Sequence, residues 1–219
     1  LENLMIKKIF ILFKIARRIA VSDAMDIISK IHQPPFFIKL IFKLLSSSFL
    51  KNKNSTEISD ENDRLCQSIE NMGTTFIKLG QFLATRPDII GDQIATQLEK
   101  LQDRVPPFST QEAKLIIKNN LGDELYKSII NISEPIAAAS IAQVHKAQIN
   151  DNGTIKDVAI KILRPNIKKI FNEEIDALML LAYLVENLIK KTKRLRLVEV
   201  VFLLKEITNH EMDLRFEAA

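Results

Sequence analysis

The stretch IAQVHKAQINDNGTIKDVAIKIL, residues 141–163, decides the fold class of this 219-residue chain. Its two ends, 141–149 and 157–163, are rich in β-branched and other apolar residues, and the turn-forming cluster Asn-Asp-Asn-Gly separates them. This pattern predicts a β-hairpin. Helical periodicity precedes the hairpin and returns after it, over 167–190 and from Leu197 to the last residue. Helices, a hairpin and further helices indicate an α+β fold.

Three more helices are predicted upstream of the hairpin. The first runs continuously over residues 57–86, because apolar residues recur in it at spacings of three and four. A second covers residues 92–103 and stops before a pair of prolines. Ser109 and Glu112 form a capping box for the third, which ends near Gly122.

The amino-terminal part carries most of the excess positive charge. Lys and Arg number 31 against 27 Asp and Glu, so the net charge is +4. Residues 5–21 and 36–50 are typical of basic amphipathic helices, which either pack on a core or lie on an anionic membrane surface. No membrane-spanning helix is predicted, since a span needs about 20 apolar residues. A nucleic-acid partner is not favoured, because only the net charge suggests one.

Cysteine and histidine usage indicates neither a disulfide nor a metal site. Cys66 is the single cysteine, and His32, His145 and His210 are far apart in sequence. A disulfide needs two cysteines and a zinc site needs a cluster of such ligands. We therefore predict a reducing compartment and no metal-binding residue.

The hairpin and the segment before it carry the first candidate functional residues. The second strand contains the tetrapeptide VAIK, whose Lys161 can act as a point charge for nucleotide phosphates. Alone, such a match also fits a strand-end lysine that points into water. Ala137, Ala138, Ala139 and Ser140 occupy the place where a typical kinase has its Gly-rich loop over the phosphates. Alanine permits that approach, although its methyl group narrows the backbone freedom that glycine gives.

A helical segment upstream carries the tetrapeptide KLGQ. Lys78 and Gln81 lie three residues apart on one helix face. Gly80 between them, like Gly73, is costly inside a helix unless another element approaches the backbone closely. The alternative interpretation of the polar pair is a solvated helix surface.

The last seven-residue segment of interest is EMDLRFE, residues 211–217. It contains three carboxylates, and in a continuing helix Asp213 and Glu217 share a face. A solvated charged surface is again the alternative interpretation.

Together, these motifs resemble the UbiB/ADCK family of atypical kinase-like proteins. The resemblance runs from about residue 71 to the last residue. Its pieces are a KxGQ helix (Lys78, Gly80, Gln81), an alanine-rich loop followed by SIAQVH (Ala137 to His145), VAIK followed by Arg164-Pro165, and an ExD segment (Glu211, Asp213).

The resemblance implies a protein-kinase-like N-lobe with a small antiparallel sheet and a helical amino-terminal extension packed over its nucleotide site. The KxGQ lysine, Lys78, would meet Glu211 or Asp213. Lys161 would contact the phosphates and Glu217 would align it, because a carboxylate partner directs the ammonium and holds helix and strand in register. The alanine-rich loop would lie over the nucleotide.

The resemblance also implies cofactors, partners and a location. Family members bind ATP with a divalent metal such as magnesium and are thought to act as ATPases or unorthodox kinases. They sit on membranes where ubiquinone is made, which implies a peripheral place on the cytoplasmic side of a bacterial inner membrane or its equivalent. The implied partners are ubiquinone-biosynthesis proteins or lipid intermediates. The older family label polyprenylphenol hydroxylase is not supported, because no haem, flavin or non-haem iron motif is visible.

Three regions are predicted: basic amphipathic helices and a linker over 1–55, the KxGQ extension over 56–130, and a partial kinase-like N-lobe over 131–219. Phosphoryl transfer needs a metal-binding Asp and a catalytic loop, which the kinase fold places in its second lobe. The sequence ends before them, so we predict no catalytic residue here and expect the 219 residues to be inactive alone.

Two functional hypotheses remain open from the sequence. The chain represents the first half of an ATP-binding enzyme component of ubiquinone biosynthesis. Alternatively, it is a truncated product that acts at most as a membrane-associated or partner-binding helical module, without catalysis of its own.

Overall fold

The computed structural model of the chain describes residues 2–21, 61–101 and 105–216. Helices and one three-stranded antiparallel sheet make up these residues, which confirms the predicted α+β class. The chain divides into two compact units. The first consists of Leu1–Gln102 and Ile170–Thr208, and the second of Asp103–Lys169 and Asn209–Ala219.

The described residues of the first unit are mainly helical, and their buried side chains are mainly apolar, with Phe76, Ile77 and Phe171 among the least exposed. Arg18 donates one hydrogen bond to the Met72 carbonyl (3.2 Å) and one to Glu174 (2.7 Å), which fixes the first helix within this unit. The helices are α1 (Glu2–Val21), α2 (Glu61–Met72), α3 (Thr74–Ala84), α4 (Pro87–Ile90), α5 (Asp92–Leu98), most of α7 (Ile167–Leu188) and α8 (Leu197–Glu211), and a 3₁₀ helix (Lys190–Leu195).

The single helix predicted over residues 57–86 is wrong, because the chain breaks at Gly73 between α2 and α3. Gly73 has a φ of 101°, a conformation that side chains other than glycine rarely adopt and that an α-helix does not contain. The expectation for Gly80 is confirmed: a Cβ atom built there would lie 2.8 Å from Cδ2 of Leu101. One glycine therefore ends a helix and the other admits a close neighbour.

The second unit contains the sheet. Strands β1 (Ile129–Ala138), β2 (Ala142–Asp151) and β3 (Thr154–Leu163) pair in the order β1-β2-β3, all antiparallel. The predicted hairpin is β2 and β3, joined by a two-residue turn in which Asn152 and Gly153 both have positive φ. Asn-Gly favours this turn because both residues tolerate the left-handed region.

Strand β1 was missed by the sequence analysis. It contains Pro135, and a proline within an apolar run argues against a strand because it lacks an N–H for the ladder. The sheet tolerates it because β1 is an edge strand, and its register with β2 shifts on both sides of Pro135. The strand thus keeps pairing despite the missing donor.

Helix α6 (Thr110–Lys127) covers one face of the sheet. Its amino terminus is capped as predicted, with the Glu112 backbone N–H donating to Oγ of Ser109 (3.2 Å). It kinks at Gly122, where φ is 78°, and continues for another turn beyond the predicted end. Ala113 and Ile117 of the helix form a buried cluster with Ile162 of β3.

The expectation of a helix from Leu197 to the last residue is wrong, since α8 ends at Glu211 and a short 3₁₀ helix, Leu214–Phe216, follows. Oδ1 of Asp213 accepts hydrogen bonds from the Arg215 backbone N–H (3.3 Å) and from its Nε (2.7 Å). A short acidic side chain that bonds nearby backbone competes with helix continuation. Glu217 and the amphipathic segment predicted over 36–50 lie outside the described residues.

Candidate functional site: one face of the sheet

The strand register aligns one residue from each strand in a single row. Ala137 of β1 pairs with Val144 of β2, and Val144 pairs with Lys161 of β3. Residues paired directly across antiparallel strands have side chains on the same face of the sheet. Ala137 and Lys161, two of the residues singled out in the sequence, therefore lie on one face.

The burial pattern of β3 shows which face this is. Ala159 and Lys161 are exposed, whereas Val158 and Ile160 are half-buried and Ile162 is buried against α6. Side chains alternate between the two faces of a strand. Lys161 is thus on the face opposite α6.

Two small apolar residues next to Lys161 were not singled out in the sequence. Val144 is directly opposite Lys161, and Ala159 is two residues before it on the same face. Val144 belongs to the SIAQVH segment and Ala159 to the VAIK tetrapeptide. Period-two alternation from Lys161 was the signal that could have found Ala159, whereas Val144 follows only from the register between β2 and β3. A planar ring can lie against such a surface with a polar tail near the lysine.

A second lysine, Lys146, shares this face. Its Nζ lies 3.1 Å from Oδ2 of Asp157, and Nε2 of Gln148 donates to Oδ1 of the same carboxylate (3.0 Å). The pKa of Asp157 is lowered by the hydrogen bond from Lys146 and then by that from Gln148. The positive charge of Lys146 is therefore partly offset by Asp157.

The alanine-rich segment is part strand and part turn, which corrects the prediction of a loop over 137–140. Ala137 and Ala138 are the last residues of β1 and pair with β2. The turn begins at Ala139, whose N–H donates to the carbonyl of Ala142 (2.8 Å). Ser140 is fully buried, so its side chain is turned away from solvent. The difference arises because the sequence did not reveal β1, whose pairing with β2 continues to Ala138.

The KxGQ residues lie on α3 in the first unit. Lys78 and Gln81 are half-buried and Gly80 is buried beneath Leu101. The glycine of this motif therefore has a packing role that the structure shows directly. The implied pairing of Lys78 with Glu211 or Asp213 stays a prediction.

The ExD residues lie where α8 ends. Glu211 is the last residue of the helix, and Asp213 follows in the irregular segment. The guanidinium of Arg215 donates to both carboxylate oxygens of Asp213, and these hydrogen bonds are the main reason why its pKa is lowered to about 2. Asp213 is thus ionised at neutral pH with a cationic partner in its own turn of chain. The implied pairing of Lys161 with Glu217 stays a prediction.

Metal-ligating residues are not clustered in the part of the chain that the structure describes: no group of three His, Cys, Asp or Glu side chains there is close enough to hold an ion. Magnesium is usually bound by one or two carboxylates together with substrate phosphates, so such a cluster is not its only mode of binding.

Comparison with known proteins gives one family. The sequence model of the ABC1 atypical kinase-like domain matches residues 100–219. Curated proteins named probable protein kinase UbiB are similar over most of the chain: 41% identity over 158 residues in Marinobacter nauticus and 36% over 186 residues in Azotobacter vinelandii. These alignments cover 72% and 84% of this chain but only 28% and 34% of the relatives. No solved structure matches.

The chain therefore spans about a third of the length of these curated relatives. The match to the family includes the whole sheet, with the row Ala137, Val144 and Lys161, and the ExD segment. From its sequence, the chain belongs to the UbiB/ADCK family of proteins with an ABC1 atypical kinase-like domain.

Proposed function

We propose that β1, β2 and β3 form the nucleotide-facing sheet of an ATP-binding atypical kinase or ATPase of the UbiB type that acts in ubiquinone biosynthesis. The observation that carries the proposal is the row Ala137, Val144 and Lys161 on the face opposite α6. It brings Ala137 of the alanine-rich segment and the VAIK lysine to one surface. Family membership supports the same assignment.

Each residue of this face has a distinct part in the proposed site. Lys161 contacts the phosphates, where an ammonium group offsets the charge of the polyanion. Val144 and Ala159 supply the apolar surface for the base. Glu217 aligns Lys161, and Lys78 pairs with the ExD carboxylates, as the family resemblance implies.

Magnesium and the catalytic groups come from elsewhere in this proposal. In kinase-like sites the metal would help to offset the phosphate charge, and its ligands and the catalytic loop belong to the second lobe. None of the motifs found in the 219 residues matches those parts. An exposed lysine alone contributes at most about 1 kcal/mol to ATP binding, whereas even a millimolar dissociation constant needs about 4 kcal/mol. The 219-residue chain therefore binds ATP weakly or not at all.

Titration of the 219-residue chain with ATP, with and without magnesium, tests this proposal. We expect a dissociation constant no lower than about 1 mM. Lys161→Ala should weaken any residual binding by up to about fivefold, the equivalent of an exposed ion pair. Lys156→Ala is the matched control, since it removes a lysine from the same strand but the opposite face. Equal losses from the two variants would refute the assignment.

A membrane role for α1 is the second proposal. Ile6, Phe10 and Phe13 are 62%, 58% and 52% exposed and recur at helical spacing, and Nζ of Lys14 lies 4.8 Å from the centre of the Phe10 ring. Such a stripe with basic neighbours suits the interface of an anionic bilayer. Among the described residues, no helix has the length and apolar character of a bilayer span.

The proposed location and partners follow from that surface and from the family resemblance. The protein lies peripherally on the cytoplasmic side of the membrane where ubiquinone is made. Its partners there are ubiquinone-biosynthesis proteins or lipid intermediates. The alternative function, a membrane-associated or partner-binding module without catalysis, shares the α1 surface but does not need the Lys161 face.

A further inference from the structure

A short segment before α6, residues 105–108, is bound to the sheet by side chains of β2 and of the residue after β3. We name these four residues the strap. Nη1 and Nη2 of Arg164 donate to the carbonyls of Pro106 and Val105, both at 3.0 Å. Oε1 of Gln143 accepts from the Phe108 N–H (3.0 Å), and its Nε2 donates to the Phe108 carbonyl (3.2 Å).

Arg164 also holds the turn between β1 and β2. Its Nε donates to the Ala139 carbonyl (2.9 Å), and its backbone N–H donates to the Ile141 carbonyl (2.9 Å). A guanidinium presents its donors in a fixed plane, so one side chain can bridge three carbonyls. Hydrogen bonds with an ionised donor are also stronger than neutral ones. Arg164 therefore joins the strap to the alanine-rich turn.

A buried network supports the same connection from β2. Gln143 and His145 are fully buried, and Nε2 of Gln143 lies 2.9 Å from Nε2 of His145. The amide Nε2 is a donor, so the histidine Nε2 accepts, and Nδ1 carries the proton that is donated to the Ser133 carbonyl (2.7 Å). The hydrogen-bond pattern thus assigns the Nδ1–H tautomer of His145, and it fixes the side chain of Gln143 towards the strap.

We infer that Arg164 is a positioning residue, which locks the alanine-rich turn in one conformation by fastening it to the strap. This inference rests on the proposed function: if the Lys161 face binds the nucleotide, Arg164 holds the alanine-rich turn in a fixed place beside the row Ala137, Val144 and Lys161. Lysine cannot replace it, since a single ammonium cannot reach three carbonyls in one plane. Nothing in the family match or in the names of the relatives assigns this role.

Amide hydrogen exchange of the 219-residue chain without nucleotide tests the inference. The reporters are two amides: that of Ala139, which donates to the Ala142 carbonyl within the turn, and that of Phe108, which donates from the strap to Oε1 of Gln143. In Arg164→Lys we expect both amides to exchange at least about tenfold faster. The hydrogen bonds of the guanidinium are lost, so local opening of the turn and strap costs less free energy. The amide of Ala113, bonded to the Ser109 carbonyl at 3.0 Å, should keep its rate.

Two further variants make the test specific. In Arg164→Ala, added guanidinium ion at concentrations below those that denature the protein should restore much of the protection at Ala139 and Phe108. Arg196→Lys is the matched control, because this arginine is exposed in the first unit and pairs with Glu199. It should leave the exchange of both reporters unchanged.

Unchanged exchange at Ala139 and Phe108 in Arg164→Lys would overturn the inference. Equal acceleration at Ala113 would also overturn it, because Arg164 would then stabilise the whole unit and not the turn. Both outcomes are independent of ATP. The exchange experiment can therefore reject the role of Arg164 without rejecting the nucleotide face at Lys161. The ATP titration can likewise reject the nucleotide face without rejecting the contact between Arg164 and the strap.

Discussion

Asp213 and Arg215 form an ion pair within one turn of chain just after α8. Hydrogen bonds from the Arg215 side chain are the largest cause of the lowered pKa of Asp213, about 2 against an ordinary 3.8. We predict that Arg215→Ala raises the pKa of Asp213 towards 3.8. A pH titration of the carboxyl carbon by NMR measures it.

The sign of the pH effect on folding follows from this lowered pKa. The pair stabilises the folded chain fully at pH values above 3.8, and its contribution is lost as the pH falls from 3.8 towards 2. The contribution should be small, because the side chain of Arg215 is exposed to solvent and screening weakens exposed pairs. An Asp213 that titrates at the same pH with and without Arg215 would contradict the assigned cause.

Gly80 allows a second prediction at the residue scale. Gly80→Ala places a methyl group 2.8 Å from Cδ2 of Leu101, so we expect a loss of about 1 to 3 kcal/mol in the free energy of unfolding. In a Leu101→Ala background the clash is absent, and alanine has a higher helix propensity than glycine. There Gly80→Ala should therefore raise the free energy of unfolding by about 0.5 to 1 kcal/mol. Urea unfolding of the four proteins gives the comparison. Additive effects would show that the two residues do not touch.

Helix α1 provides the prediction at the scale of an element. Replacing Phe10 and Phe13 by serine should strongly reduce binding of the chain to vesicles that contain phosphatidylglycerol, because two apolar side chains leave the interface. Added salt should weaken binding of the unaltered chain, since part of the attraction is electrostatic. Co-sedimentation with vesicles measures both effects.

The control for α1 is Phe202→Ser on α8, since Phe202 and Phe13 are 53% and 52% exposed. It should leave vesicle binding near that of the unaltered chain. The prediction is wrong if Phe202→Ser reduces binding as much as the α1 variant, or if a chain without residues 1–50 binds as well as the whole chain.

Elements with strong local signals could be predicted from the sequence. The β2–β3 hairpin has alternating apolar residues on both sides of an Asn-Gly turn, and α7 has a long uninterrupted helical period. The break at Gly73 could not be predicted, because a glycine within an apolar stripe fits a helix equally well until its φ is known. Strand β1 was hidden by Pro135, which only the edge of a sheet accommodates.

Only the part of the candidate site that has a local sequence signal could be predicted. Lys161 and the alanine-rich segment were found from motifs, which are local in sequence. Val144 and Ala159 depend on the register between β2 and β3, and the strap depends on hydrogen bonds between distant segments, such as Arg164 with Val105. Register and long-range side-chain contacts are properties of the folded chain, which periodicity does not reveal.

At the scale of the whole molecule, we predict that the 219-residue chain does not turn over ATP at a measurable rate. Its motifs supply a phosphate-contacting lysine but no match to the metal ligands or catalytic loop of the second lobe. A phosphate-release assay with magnesium and ATP is the measurement. Hydrolysis that depends on magnesium and disappears in Lys161→Ala, but not in Lys156→Ala, would show that the chain is catalytically sufficient.

The central claim is that the face of the sheet opposite α6 receives the nucleotide. NMR of the labelled 219-residue chain, with ATP raised to about 10 mM to populate a weak complex, tests it most directly. We predict shifts centred on Val144, Ala159 and Lys161. Shifts centred instead on Ala113 and Ile117 of α6 would contradict the account.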